Sequence, residues 1–278
     1  MFATLEECIA AWERSGQHGT LQQRVERNAR WIPYYAYLAG QREECDAAID
    51  PHAEEVSGYL FDRGLLTPAS SVLDLGSGTG TFTLAFAKHC QSVTALEMDA
   101  VSQRACQTQA AQLGLTNISH QTKMWETYQP KERFDFVLSS MCPAICNYTE
   151  LLKMESLSNH ACGILAVTRG SYDLHRKQLM QLLNVHPTGG MTTEALWYYE
   201  ALYLAGKQPE VRSWSRHFAY TLPLEEILLR NERYFEIFEI AAADSRPILT
   251  RYFQSIAKDG FVDDETQLNT ALITWNVS

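Results

Sequence analysis

The chain has 278 residues, 46% of them hydrophobic and 20% charged, a globular balance with length enough for one large core. A net charge of −10 with no basic run argues against a phosphate backbone as partner. No stretch approaches the roughly 18 consecutive apolar residues of a membrane helix, and Glu6, Glu7 and Glu13 stand where a signal peptide needs an apolar centre. Neither a membrane span nor a targeting segment is expected. Seven cysteines, an odd number without disulfide-framework spacing, read as reduced thiols of a cytoplasmic protein.

Residues 1–66 read as helical: Leu5, Ile9 and Trp12 fall at helical spacing, and "CDAAIDPHAEEVSGYLFDRGLL" repeats apolar positions between charges. From residue 71 strands and helices alternate. "SVLDLG" is a buried strand, "TGTFTLAFAKHC" a helix, "SVTALEMD" a second strand and "AVSQRACQTQAAQLGL" a helix ended by Gly114. "NISHQT" is a weak third strand, "FDFVLSS" a clear fourth, "NYTELLKMESLS" a helix, "GILAVT" a fifth strand and "YDLHRKQLMQLLN" another helix. This order predicts a doubly wound α/β sheet, mostly parallel. After the turn cluster "HPTGG" the alternation breaks. "MTTEALWYYEALYLAGK" is a helix outside it, and "EVRSWSRHFAYTL" a strand. Pro223, Glu225 and Glu226 open a helix, a further helix spans roughly 244–258, and "ALITWNV" closes the sheet as an antiparallel last strand. The expected divisions are an N-terminal helical cap (1–66), a core (67–186), a helical insertion (187–210) and the C-terminal part of the core (211–278).

Asp74, Gly76, Gly78 and Gly80 follow one another in "SVLDLGSGTG", at the end of the first strand. A strand that ends in a glycine-rich turn and opens a helix makes a ligand site, because missing Cβ atoms admit ligand atoms to the backbone and the helix start offers free N–H groups. A P-loop is excluded, since no Gly-Lys-Ser or Gly-Lys-Thr follows. The dinucleotide fingerprint fails as well, because it needs a glycine where Thr81 stands.

Residues 74–80 resemble instead the first motif, D/E-x-G-x-G-x-G, of the class I S-adenosylmethionine-dependent methyltransferases. The resemblance extends over roughly residues 67–170 and implies S-adenosylmethionine as cofactor. It implies that Asp74, Gly76, Ser77, Gly78, Thr79 and Gly80 hold the methionine and ribose part, and that Glu97, closing the second strand, accepts from both ribose hydroxyls. Two vicinal hydroxyl donors suit a carboxylate, and an apolar side chain such as Met98 suits an adenine face. Met124 and Trp125 of "TKMWETY" fall where the family meets the adenine edge, and Ser139 where it meets the methionine end.

Cys142-Pro143-Ala144-Ile145 lacks the amide or acid and the aromatic residue of amino-directed nucleic-acid methylases, so base methylation loses its acceptor and stacking partner. Cys142, Cys146, His160 and Cys162 suggest no converging metal site, and none is expected. Tyr34 and Tyr35 in "RWIPYYAYLAG", with Cys142, Tyr199, Trp214 and His217, are the candidate acceptor contacts, and His217 is the sole candidate base. The expected function is methyl transfer to a small or medium-sized acceptor by in-line displacement. A methyltransferase acting on protein or nucleic acid, and a module that binds the cofactor without chemistry, are the alternatives. Nothing in the sequence indicates an oligomeric state.

Overall fold

The structure of the chain, a computed structural model, describes residues 2–14, 20–43, 48–185 and 194–277. Four helices come first: α1 (Leu5–Arg14), α2 (Leu21–Ala29), α3 (Ile32–Glu43) and α4 (Pro51–Asp62). Local sequence sets their starts. Thr20 and Gln23 form a reciprocal capping box at α2, and Asp50 caps α4, with Pro51 at the first helical position where no N–H is needed.

The alternating core follows as β1 (Ser71–Leu75), α5 (Thr81–His89), β2 (Ser92–Glu97), α6 (Ala100–Gln112), β3 (Ile118–Thr122), β4 (Phe134–Ser140), α7 (Tyr148–Ser156) and β5 (Ser158–Val167). The five strands pair in parallel in the order β3-β2-β1-β4-β5. Then come the two-residue β6 (Tyr172–Asp173), α8 (Arg176–Leu182), α9 (Glu194–Leu204), β7 (Glu210–Pro223), α10 (Leu224–Glu236), α11 (Ala242–Ile256) and β8 (Phe261–Asn276). β8 lies antiparallel to β5 and carries β7, also antiparallel, on its other edge. The doubly wound, mostly parallel sheet with an antiparallel last strand is thus as the sequence indicates.

Strand alternation divides the core into two layers. On one face Leu73, Leu75, Val137, Ile164, Ile273 and Trp275 pack with Trp12 of α1, Leu151 and Met154 of α7, and Tyr198 and Leu202 of α9. On the other, Val72, Phe136, Leu138, Leu165 and Leu272 meet Val56 and Leu60 of α4 and Phe82 and Phe86 of α5. The helix expected as an insertion is therefore, over its described residues, a layer of the core. Ala195, Tyr198, Ala201 and Leu202 are buried, and the Tyr198 hydroxyl donates to the Ile145 carbonyl at 2.8 Å.

β8 begins ten residues before the strand expected at 271–277. Its early part, "FVDDETQLNT", is too polar to announce a buried strand, and pairing with β7 along its full length makes it one. Beyond Trp214, which pairs with Thr270 level with the end of β5, the two strands run on as an arm past the carboxyl edge of the parallel sheet. A third apolar cluster forms on this arm, from Leu179 of α8, Ile227, Leu228 and Phe235 of α10, Leu249 and Phe253 of α11, and Val262. The arm and its helices are a second lobe above the sheet edge.

This lobe depends on its own small core. Phe253 is fully buried there, so Phe253→Ala should lower stability by about 3–5 kcal/mol. Urea denaturation measures this; a loss under about 1 kcal/mol would show that the cluster is not cooperative with the rest of the chain.

Candidate active site

The site lies where the strand order reverses. β1 and β4 are neighbours, with Leu75 opposite Ser139, but α5 leaves toward one face of the sheet and α7 toward the other. The turns after the two strands diverge and open a crevice at their carboxyl ends.

The first turn is the glycine segment. Gly76, Gly78 and Gly80 have φ of +72°, +54° and +95°, a left-handed region that disfavours any side chain. Each has a further reason to be glycine. A Cβ on Gly76 would collide with the Cys142 thiol, and one on Gly80 with the Cys106 thiol of α6. A Cβ on Gly78 would meet nothing within 4 Å, so this residue presents bare backbone to open space. The Gly76 and Ser77 amides both donate to the Leu96 carbonyl, at 2.8 and 3.0 Å, which ties the turn to the end of β2. Gly78 N–H donates to Glu97 Oε2 at 2.9 Å, and Asp99 N–H to Glu97 Oε1 at 2.8 Å. Two backbone donors thus fix the Glu97 carboxylate beside the turn. Burial holds its pKa above the ordinary glutamate value, with the charge of Asp99 adding to the effect and the backbone donors opposing it.

Asp74 does not point into the crevice with Glu97. Its side chain is buried and accepts from the Thr83 hydroxyl at 2.6 Å, which anchors the first turn of α5. Burial pushes its pKa up to about 6 against the Thr83 hydrogen bonds, and the charge of Glu97 adds to the rise. The Ser77 hydroxyl is buried with no hydrogen-bond partner among the described residues. The cradle therefore offers a fixed carboxylate, an unsatisfied hydroxyl and exposed glycine backbone, a donor set that fits the ribose and amino-acid parts of S-adenosylmethionine.

Met98 and Met124 are half-buried, each directly after or near the end of its strand. Trp125 departs from the adenine role expected for it. It is buried in the core, its indole N–H donates to Glu150 at 2.7 Å, and the Lys153 ammonium sits 4.1 Å from the ring centre, so α7 engages both ring and indole nitrogen. Ser139 is buried at the end of β4. Beyond it Met141 takes φ of +47° and brings Cys142 over Gly76. Burial pushes the Cys142 thiol up to about 12, and the carboxylates of Glu97, Asp74 and Glu126 act in the same direction. At neutral pH it is a protonated, uncharged wall of the crevice and no nucleophile.

α3 packs against α6 and α10 and so crosses the mouth of the crevice. It supplies the aromatic segment. Tyr34 is buried, and Tyr35 stacks on Trp31 with centroids 5.6 Å apart. Tyr35 as a whole is half-exposed, but burial of its phenol end raises the pKa, and the Cys142 thiol and Glu97 carboxylate in its neighbourhood add to the rise. Tyr34 meets Tyr234 of α10 edge-on at 5.6 Å. Tyr234, Arg230 and Arg176 carry no sequence signal for this site, since they stand more than a hundred residues from α3 and only the docking of α10 on α3 assembles them.

Three expected acceptor contacts lie elsewhere. Trp214 is buried beneath α4, edge-on to His52 and Tyr59, with its indole N–H donating to Glu55 at 2.8 Å. Tyr199 stacks on Tyr203 on the outer side of α9, whose inner side fills the core. His217 pairs with Glu265 at 3.2 Å, and strand alternation puts it on the face of the arm opposite Tyr220 and hence away from α3. Cys142, Cys146, His160 and Cys162 do not gather, and among the described residues no group of three or more His, Cys, Asp or Glu could hold a metal ion.

Comparison with known proteins agrees with this geometry. Residues 72–156 match the family model of a methyltransferase domain. The fold is similar to that of the YcgJ protein from Bacillus subtilis, at 15% identity and a TM-score of 0.52, covering 82% of this chain and 98% of that one. It is similar as well to magnesium protoporphyrin IX methyltransferase from Synechocystis PCC 6803 with bound S-adenosylhomocysteine. The identity there is 12%, the TM-score 0.52, and the match covers 89% of this chain and 97% of that one. No curated protein matches the chain. Residues 72–156 thus match a methyltransferase domain, and the fold around them is the Rossmann-like one of these structural neighbours.

The buried Asp74 has a consequence for stability. Its folded pKa, about 6, lies above the ordinary 3.8, so the folded protein holds a proton that the unfolded chain releases. The fold then loses stability as pH rises from about 4 through 6, by about 3 kcal/mol if the carboxyl acts alone. In Asp74→Asn this loss should vanish. Chemical denaturation of both proteins across pH 4–7.5 checks it; parallel stability curves would show that Asp74 does not titrate in this range.

Proposed function

We propose that this enzyme transfers the sulfonium methyl of S-adenosylmethionine to a small-molecule acceptor by in-line displacement. The observation that carries this reading is the placement of Tyr35, half-exposed on α3 yet held over Glu97 and Cys142, so that the crevice is lidded by aromatic side chains. Tyr side chains in such a lid offer a small acceptor apolar area with polar tips. The net charge of −10 opposes a nucleic-acid acceptor. The Synechocystis neighbour, named for a porphyrin substrate, supports a small acceptor by analogy of fold.

When bound, the cofactor supplies a methyl group already activated by its positive sulfur. The chain's own part is placement and exclusion of water. In this reading Glu97 accepts from the ribose hydroxyls and is kept in position by Gly78 and Asp99. Ser77 and the open backbone of Gly78 receive the amino-acid end, with Gly76, Thr79 and Gly80 shaping the turn. Met98 and Met124 flank the adenine, and Ser139 and Cys142 wall the methyl end. Tyr34 and Tyr35 exclude water above it. No base is assigned, since His217 faces away. The odd number of cysteines, without disulfide-framework spacing, supports a reducing compartment such as the cytoplasm.

Transfer of labelled methyl from S-adenosylmethionine to fractionated extracts tests the reading. Label is expected in the small-molecule fraction, and label confined to protein or nucleic acid would overturn it.

Two substitutions test the cradle. Glu97→Gln should weaken S-adenosylhomocysteine binding by about 1.5–3 kcal/mol in calorimetry, with the circular dichroism spectrum intact. Unchanged affinity would remove Glu97 from the ribose. Gly78→Val and Gly80→Val both strain a left-handed residue, but only Gly80→Val collides with the protein. Gly78→Val should therefore abolish cofactor binding at a smaller loss of melting temperature than Gly80→Val. Normal binding by Gly78→Val would mean that this turn is not the cradle.

A further inference from the structure

Two guanidinium groups stand in the aromatic cluster that lids the crevice. Arg176, at the start of α8, lies flat on Tyr234, its central carbon 3.2 Å from the ring centroid. Its Nε faces Asp173 at 3.5 Å, and its Nη1 is buried with no hydrogen-bond partner among the described residues. Tyr234 meets Tyr34 at 5.6 Å, and Tyr34 meets Tyr35 at 6.2 Å, so one line of rings joins Arg176 to the crevice. Arg230 precedes Tyr234 by one helical turn. Its central carbon is 5.0 Å from the Tyr220 ring centroid, its side chain hydrogen-bonds Tyr220, Tyr34 lies near, and the charge of Asp264 is beyond, which leaves part of the guanidinium edge open. Among the described residues no carboxylate lies within ion-pair distance of Arg230, whereas Arg216 is paired with Asp50 and Arg246 with Glu225 and Glu232.

A buried guanidinium N–H without an acceptor is costly, and stacking on a ring fixes the plane of the fork without satisfying its edge. The unmet edge calls for a planar oxyanion. Asp173 already offsets part of the Arg176 charge, so a singly charged group suits the site better than a dianion. A carboxylate has both the shape and the charge.

We propose that the methyl acceptor is a small molecule bearing a carboxylate, gripped by Arg176 and Arg230, with the accepting atom at the Tyr35–Cys142 end. The carboxylate is the handle and is not itself methylated. This rests on the reading that the crevice is a methyl-transfer site, and it names the acceptor's class.

The test begins with labelled methyl transfer into a small-molecule extract. The labelled product should be retained on an anion exchanger at neutral pH and lose retention after carbodiimide amidation. Phenylacetate should inhibit the transfer at least tenfold more strongly than phenylacetamide or inorganic phosphate. Arg176→Gln and Arg230→Gln should each raise the acceptor KM at least tenfold, with S-adenosylhomocysteine affinity within twofold of wild type. Arg176→Lys should recover part of the loss, because it keeps the charge and loses the fork. A product whose charge carbodiimide amidation leaves unchanged, a base-labile methyl ester included, would overturn the proposal. Equal inhibition by the three probes, or unchanged KM in both Gln variants, would do the same. If Arg176→Gln proves unfolded by circular dichroism, Arg230→Gln decides. Failure of the wild type to bind S-adenosylhomocysteine would strike the methyl-transfer reading itself, whereas normal binding with transfer to an acceptor lacking a carboxylate strikes this proposal alone.

Discussion

The Gly78 N–H···Glu97 hydrogen bond, 2.9 Å long, joins the turn after β1 to the end of β2. It is formed only because three glycines take left-handed φ and fold the turn back toward the neighbouring strand. The two Leu96 carbonyl hydrogen bonds brace the same junction from beneath. The carboxylate is thereby held by backbone donors, which cannot swing away as side chains can, and its orientation is fixed before any ligand arrives. Preorganisation of this kind saves the ordering cost that a mobile acid would incur on binding.

Around that junction the protein concentrates acidic groups in a poorly solvated place. Asp74 on β1, Glu97 at the end of β2 and Asp99 just after it come together where the two paired strands end, and each is kept in place by N–H or O–H donors: Thr83 for Asp74, Gly78 and Asp99 for Glu97, Ser102 and Val101 for Asp99. These donors divide the labour. Asp74 anchors the first turn of α5 through Thr83, Asp99 caps α6, and Glu97 is left beside the glycine turn with its remaining acceptor capacity. The Cys142 thiol, its pKa raised in the same surroundings, contributes shape without charge.

Above the sheet edge a different principle applies. The lobe of α8, α10 and α11 exists because β8 is long enough to carry β7 beyond the parallel strands, and its apolar cluster is separate from the two layers on the sheet. The N-terminal helix α3 bridges this lobe and α6. The roof of the crevice is therefore built from the two ends of the chain, while its floor is local. That division lets floor and roof vary independently in sequence.

The floor was legible in the sequence. "SVLDLGSGTG" and "VTALEMD" specify strand, turn and acid within thirty residues, and their roles follow from steric rules and local hydrogen bonding that distant residues hardly alter. The antiparallel closing strand was legible in its apolar half, "ALITWNV", and not in "FVDDETQLNT", whose polar side chains become a strand through pairing with β7. Local reading also failed where a side chain could serve either of two neighbours. Trp125 and Trp214 look like ligand contacts by position, but Glu150 of α7 and Glu55 of α4 accept from their indole nitrogens. Tyr34 and Tyr35 were visible as an aromatic pair, whereas their meeting with Tyr234, Arg230 and Arg176 was not. The sequence by itself determined the glycine turn and its acid, because those depend on backbone sterics over short range. Tertiary structure alone decided which aromatic and basic residues gather around α3, because that depends on how α3 and α10, nearly two hundred residues apart, pack against each other.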